Sequence, residues 1–137
     1  MRVAGLLLAF AAVTLLPGCS DAPDLVQIQG RVTRGGNPLP GVIVQFHPED
    51  GRPSWGKSDA EGKFTLNYSK HYEGARLGKH RVFVNFDNTP ETPYDETGKQ
   101  KLNADQQAVI EKYGQLESTP LEVDLHEKRQ VVEIQLD

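Results

Sequence analysis

The segment LVQIQGRVT, residues 25–33, alternates apolar and polar side chains along its whole length. One face of this segment carries only apolar residues and glycine: Val26, Ile28, Gly30 and Val32. A period of two residues is typical of a β-strand with one buried face. The glycine- and proline-rich turn at residues 34–41 follows, and VIVQFH, residues 42–47, alternates again. The pattern predicts two strands that form a hairpin or lie side by side.

Five more segments have strand character and are separated by turn-forming residues: 55–58, 63–68, 79–86, 121–125 and 132–136. Segment 79–86 is apolar on both faces, so we expect it in the middle of a sheet. The last two segments are expected to form a second hairpin around a turn at residues 127–129. Seven strands, with 13 glycines and nine prolines in 137 residues, predict an all-β fold, a seven-stranded β-sandwich.

One long segment, residues 87–119, has little strand character, and connections of this length are uncommon in compact domains. Within it, Asn103 followed three residues later by Gln106 is typical of a helix N-terminus. The sequence predicts one short helix over residues 104–113 that ends at Gly114.

This long segment has two interpretations. Long loops on rigid scaffolds often carry binding residues, and partner contacts would then concentrate here and on the neighbouring Trp55 loop. Alternatively, the segment covers a sheet edge and prevents edge-to-edge aggregation, with Val109, Ile110 and Tyr113 packed on the sandwich. Both interpretations remain open at the level of sequence.

The beginning of the chain has the features of an export signal. A basic residue, Arg2, precedes an apolar run over residues 3–16, which is too short for a comfortable transmembrane helix. The motif LPGC, residues 16–19, resembles the lipobox of bacterial lipoproteins. The resemblance implies that a diacylglycerol is attached to the Cys19 thiol and that the chain is cleaved before this residue.

The predicted organisation is a signal peptide over residues 1–18, a tether over 19–24 and one domain over 25–137. Lipid on Cys19 would anchor the domain to a membrane, facing the periplasm or the cell exterior. The competing interpretation is an ordinary secreted protein with a stray cysteine. Because Cys19 is the only cysteine, no disulfide can form within the chain.

Four short segments together resemble a known family: GRV at residues 30–32, GNPLPGV at 36–42, SDAEGKF at 58–64 and GKHRVFV at 78–84. In this order and spacing they are similar to the carboxypeptidase regulatory-like domain. The resemblance covers roughly residues 26–86 and implies a transthyretin-like (prealbumin-like) sandwich in an extracytoplasmic setting. It does not imply peptidase activity, because in that family this domain is an accessory to a separate catalytic domain. Function does not follow from this fold.

The sequence lacks the motifs that are typical of catalysis or metal binding. Transthyretin-like hydroxyisourate hydrolases end in Tyr-Arg-Gly-Ser, whereas this chain ends in VEIQLD, and the His-x-His pair of intradiol dioxygenases is missing. The four histidines, His47, His71, His80 and His126, are not at metal-ligand spacing. Asp59 and Glu61 fit a tight turn better than a calcium loop. We therefore expect no enzyme activity, no cofactor and no metal.

The chain carries a net charge of −4 and has no run of basic residues, which argues against a nucleic-acid partner. The leading hypothesis is a lipid-anchored structural or interaction module with a protein or polysaccharide partner. Its candidate binding surface comprises three aromatic residues: Trp55, Tyr94 and Tyr113. One alternative is a carbohydrate-binding module, which requires exposed aromatic residues such as Trp55 and Tyr94 to line a groove. The other is a small hydrolase, which requires histidine and arginine side chains in one pocket.

Overall fold

A computed structural model describes residues 23–87 and 94–137 of the chain. The predicted signal peptide, Cys19 and most of the tether lie outside the described residues. Within the described ranges the elements in chain order are β1 (Leu25–Arg34), β2 (Asn37–Pro38), β3 (Val42–Pro48), β4 (Ser54–Lys57), β5 (Lys63–Thr65), β6 (Ala75–Arg76), β7 (Gly78–Phe86), α1 (Ala104–Tyr113), β8 (Glu122–Leu125) and β9 (Arg129–Leu136).

The strands form two sheets. In the first, β9 runs parallel to one edge of β1, while β6, β5 and β2 pair antiparallel with successive parts of the other edge. The second sheet has the order β4-β3-β7-β8, with all pairs antiparallel. The predicted all-β sandwich is confirmed, and in the described ranges seven strands have three or more residues. The prediction that β7 is central is also confirmed, since it lies between β3 and β8.

Both predicted hairpins are wrong. β1 and β3 belong to different sheets, and β1 instead pairs locally with the short strand β2. Likewise β8 pairs with β7, whereas β9 pairs with β1 at the opposite end of the sequence. The physical reason is that alternation identifies the buried face of a strand but not its neighbour. A strand that crosses to the other sheet buries the same residues as a strand that turns back to pair with the preceding strand in the same sheet.

The inward-facing residues of both sheets and the helix form one hydrophobic core: Val26, Ile28, Val32, Val42, Val44, Phe46, Phe64, Leu66, Ala75, Val82, Val84, Phe86, Val109, Tyr113, Leu125, Val132, Ile134 and Leu136. Gly30 and Phe64 are directly paired between β1 and β5. The Phe64 ring lies across Gly30, because a Cβ built there would be 2.0 Å from the Cζ atom of Phe64. The same ring packs against Phe46, with 6.3 Å between ring centroids.

The predicted helix is confirmed at both ends. The Asn103 side chain accepts a hydrogen bond from the Gln106 N–H (2.8 Å), and the Gln106 side chain accepts one from the Asn103 N–H (3.0 Å), which forms a capping box. The Gly114 N–H closes the other end on the Ile110 carbonyl. No helix in the described ranges is long and apolar enough to span a membrane.

The helix and the residues after it cover part of strand β7. β8 pairs only with the first half of β7, from Gly78 to Arg81. Beyond it, the Val82 N–H donates to the Leu121 carbonyl (3.0 Å), and the Thr119 hydroxyl donates to the Val82 carbonyl (2.7 Å). The helix contacts β7 and buries Val109 and Tyr113. For this part of the long segment, the packing agrees with the edge-covering interpretation.

Candidate functional site

A concave surface with an exposed aromatic residue lies on the outer face of the first sheet, where β4 borders it. We call it the Trp55 groove. It has a volume of about 770 Å³ and is lined chiefly by Gln29, Arg31, Trp55, Lys57, Lys63, Thr65, Asn67, Val131 and Glu133. Most of these residues come from the polar faces of β1, β5 and β9, whose other faces are buried in the core.

Strand β4 holds Trp55 at the wall of the groove. Ser54 and Gly56 face inwards, so Trp55 between them faces outwards, and its side chain is 52% exposed. The Trp55 N–H donates to the Asn67 carbonyl (3.0 Å), and the Asn67 N–H donates to the Trp55 carbonyl (2.7 Å). Gln45 of β3 is the paired residue on the other side. Directly paired residues share a face, so the side chains of Asn67 and Gln45 flank Trp55 on its two sides, and of these two only Asn67 lines the groove.

Gly56 allows β4 and β5 to approach closely at this wall. A Cβ at Gly56 would be 2.5 Å from the Thr65 carbonyl oxygen and 3.2 Å from the Phe64 ring. Any larger residue would therefore push the two strands apart. The glycine next to Trp55 thus keeps the indole close to the outer face of β5.

The floor of the groove presents hydrogen-bonding groups and one apolar side chain. Gln29 is paired with Val131 on one side and with Thr65 on the other, so these three residues form a row across the sheet. Val131 is 73% exposed. In the part of the chain that the structure describes, the Gln29 carboxamide and the Thr65 hydroxyl have no protein hydrogen-bond partner. They are available to a ligand.

The charged residues of the groove are largely balanced. Lys57 forms an ion pair with Asp87, and Lys63 forms one with Glu61 (3.1 Å). The Asp59 carboxylate, also at the groove, accepts the backbone N–H groups of Glu61 and Lys63, both at 2.9 Å. This confirms the tight turn predicted at Asp59 and Glu61.

Arg31 and Glu133, at paired positions of β1 and β9, are the remaining two charged residues of the lining. They carry opposite charges on neighbouring strands. The groove therefore has no strong excess of either charge.

The three aromatic residues predicted as a binding surface do not come together. Trp55 lines the groove, whereas Tyr94 is 54% exposed but is not part of the lining. Tyr113 is only 4% exposed, and its hydroxyl donates to the Asp137 carboxylate. Tyr113 therefore belongs to the core, because the helix turns Val109 and Tyr113 toward β7. Cys19, the predicted lipidation site, lies outside the described residues.

Several groove residues were missed at the sequence level, notably Gln29, Thr65, Asn67 and Val131. Each lies on the polar side of an alternating strand, and such a side is usually just solvated. The one available signal was Val131, an apolar residue in the outward register of β9. The other three residues become candidate binding residues only because strand pairing brings them beside Trp55.

A second pocket, of about 350 Å³, brings His47, His80 and Arg81 together with Glu49, Glu117 and Glu122. It supplies the histidine and arginine that the hydrolase alternative requires. However, the His80 Nε2 atom is 2.8 Å from the Arg76 carbonyl oxygen, and His47 and His80 face opposite sides of their sheet.

In residues 23–87 and 94–137 no hydrogen bond or ion pair joins His47 or His80 to a carboxylate of the pocket. Burial, and then the neighbouring His80, lower the pKa of His47. In these residues the pocket thus lacks the oriented carboxylate partner that general-base catalysis by an imidazole usually employs. Within the described ranges no cluster of three or more histidine, cysteine or acidic side chains could hold a metal ion.

The Trp55 groove can hold a ligand by stacking on the indole and by hydrogen bonds to amide and hydroxyl groups. It lacks a nucleophile with an adjacent base among its lining residues. Comparison of the chain with protein-family models, with curated proteins and with solved structures found no match.

Proposed function

We propose that this chain is a non-catalytic binding module, anchored by lipid outside the cytoplasm, whose partner occupies the Trp55 groove. The observation that carries the proposal is the 52% exposure of Trp55 in a concave surface. A tryptophan left half in water forfeits much of the free energy that its burial would contribute to folding. An exposed indole that shares a concave surface with the exposed Val131 and several polar groups is typical of a ligand-binding site.

The absence of catalysis is part of the same proposal. The groove offers recognition groups, and the histidine pocket lacks an oriented carboxylate partner for its imidazoles in the described residues. The hydrolase alternative is consequently less well supported than the binding module. It would regain support if His47→Gln abolished hydrolysis of a small amide or lactam that the full chain cleaves.

The transthyretin-like subtype of the sandwich is also a proposal. It is supported by the four motif segments, which occur at the end of β1, in the turns before β3 and β5, and along β7. An experimentally determined structure with a different strand order would overturn it.

The anchor rests on the motif LPGC at residues 16–19. We expect Cys19→Ser to abolish incorporation of labelled fatty acid and to block lipoprotein-type cleavage. Equal labelling of the variant and the unaltered chain would rule out Cys19 as the lipidation site.

Footprinting in the native envelope tests whether the groove is occupied. The full chain would be exposed to hydroxyl radicals in detergent and in isolated envelopes of the producing bacterium, and oxidation of Trp55 would be quantified by mass spectrometry. We expect protection of Trp55 in envelopes. Tyr72, which is similarly exposed but outside the groove, is the matched control and should be oxidised equally in both. Equal oxidation of Trp55 in both preparations would refute the proposed site.

A further inference from the structure

We infer that the ligand of the Trp55 groove is a neutral polysaccharide, with one sugar ring stacked on the Trp55 indole and its hydroxyls bound by the amides of Asn67 and Gln29. The inference rests on the proposed function and adds the chemical class of the ligand. Its basis is the juxtaposition of one exposed indole, the Asn67 carboxamide beside it and the uncharged row of Thr65, Gln29 and Val131 across the adjacent sheet.

The indole fits the face of a sugar ring. A pyranose has apolar faces formed by C–H groups and a rim of hydroxyls, so it stacks on an aromatic plane while its rim stays polar. Strand β4 fixes the backbone of Trp55 on both sides, through Asn67 and through Gln45. The platform is therefore largely positioned before the ligand binds, which lowers the entropic cost of binding.

The neighbouring polar groups fit the rim of the ring. A carboxamide offers a donor and an acceptor side by side, and adjacent sugar hydroxyls can each donate and accept. Asn67 lies directly beside Trp55, and Gln29 and Thr65 continue across β1 and β5. Amides and a hydroxyl recognise hydroxyl groups without needing a charge on the ligand.

The charge balance favours a neutral ligand over an acidic one. Lys57 and Lys63 are paired with carboxylates, and Arg31 stands between Lys63 on one neighbouring strand and Glu133 on the other. Binding a polyanion requires a surplus of positive charge that attracts it and displaces its counterions. An acidic glycan would instead meet Glu133 and the carboxylates that already neutralise the lysines.

Periodate treatment tests the ligand class directly. Envelopes would be oxidised with periodate, which cleaves vicinal diols, and quenched before the full chain is added and Trp55 is footprinted. We expect Trp55 to lose its protection in the periodate-treated envelopes. In untreated envelopes, we expect added neutral oligosaccharides to compete for the groove and to remove the protection in the same way. The competitors are cello-, malto-, xylo- and manno-hexaoses, with oligogalacturonate as the acidic comparison.

Calorimetry with the competing hexaose then tests the residues. We expect Trp55→Ala to weaken binding at least about tenfold, Trp55→Phe to weaken it less, and Asn67→Ala to weaken it severalfold. The matched control Tyr72→Ala should bind like the unaltered chain. Full affinity in Trp55→Ala would overturn the stacking.

The outcomes separate this inference from the proposed function. Protection of Trp55 that survives periodate and also resists all four neutral hexaoses, or competition by oligogalacturonate alone, would overturn the neutral polysaccharide while leaving the groove as a binding site. No protection in any envelope would refute the groove itself.

Discussion

Replacing Gly30 by alanine is expected to destabilise the sandwich, although alanine is normally the better residue inside a strand. Without a clash the change would stabilise the fold by about 0.5–1 kcal/mol, because glycine loses more backbone freedom on folding. The new Cβ, however, would lie 2.0 Å from the Phe64 Cζ and 2.4 and 2.5 Å from its two Cε atoms. The ring would have to move by roughly 1.5–2 Å to reach an ordinary contact distance.

Phe64 has little room for such a movement, because it is buried and packs against Phe46. Overpacking of this kind costs about 1–3 kcal/mol, so after subtracting the gain of about 0.5–1 kcal/mol we expect a net loss of about 0.5–2 kcal/mol in the free energy of unfolding. Urea unfolding followed by far-ultraviolet circular dichroism should show a lower midpoint with an unchanged slope. Gln29→Ala, on the exposed face of the same strand, is the control and should change stability by less than about 0.5 kcal/mol.

A second substitution tests the mechanism of this loss. Phe64→Leu removes the ring atoms nearest to Gly30, so the double variant should lose less stability than the sum of the two single variants. A midpoint for Gly30→Ala at or above that of the unaltered chain would refute the close approach. A double variant whose loss of stability equals the sum of the two single losses would also refute the close approach of Gly30 and Phe64.

Three further changes test the core, the helix and the pH response. Val44→Asp places an unpaired carboxylate in the centre of β3, which costs several kcal/mol, so its β-sheet circular dichroism should be lost while Gln45→Asp keeps it. Asn103→Ala should lower the free energy of unfolding by about 1 kcal/mol and Asn103→Asp by much less; equal losses would contradict the capping role. The pKa of His47 is lowered from 6.5 on folding, so the unfolded chain takes up the proton first as the pH falls. Stability should therefore drop as the pH falls through about 6.5, less steeply in His47→Gln, and identical slopes would argue against the effect.

Local patterns accounted for most of the secondary structure. The helix was predicted to its terminal residues because capping depends on a few neighbouring groups, here Asn103, Gln106 and Gly114. The seven longer strands followed from alternation, since each has one face in the core, whereas the two-residue strands β2 and β6 carry no such pattern. The same patterns do not show which strands are neighbours in a sheet. The pairing of β1 with β9, for example, joins segments about a hundred residues apart in the chain.

The candidate site was predictable only in part, for the same reason. Trp55 stood out as the only tryptophan, but Gln29 and Thr65 matter only because β5 brings them beside it. Tyr113 was assigned to the binding surface, although its i, i+4 spacing from Val109 already indicated a shared helix face. Giving more weight to that spacing would have placed it in the core.

The parallel pairing of β1 with β9 has a mechanical consequence. A pull that enters at the start of β1 and leaves at the end of β9 drives the two strands past each other lengthwise. All eight paired positions, from Gln27 with Arg129 to Arg34 with Leu136, then bear the load together instead of parting one after another. Resistance to force is governed by the rate of unfolding, and this shear geometry gives the rupture of the first sheet a high barrier. A domain held at its amino end would thus keep its shape under tension.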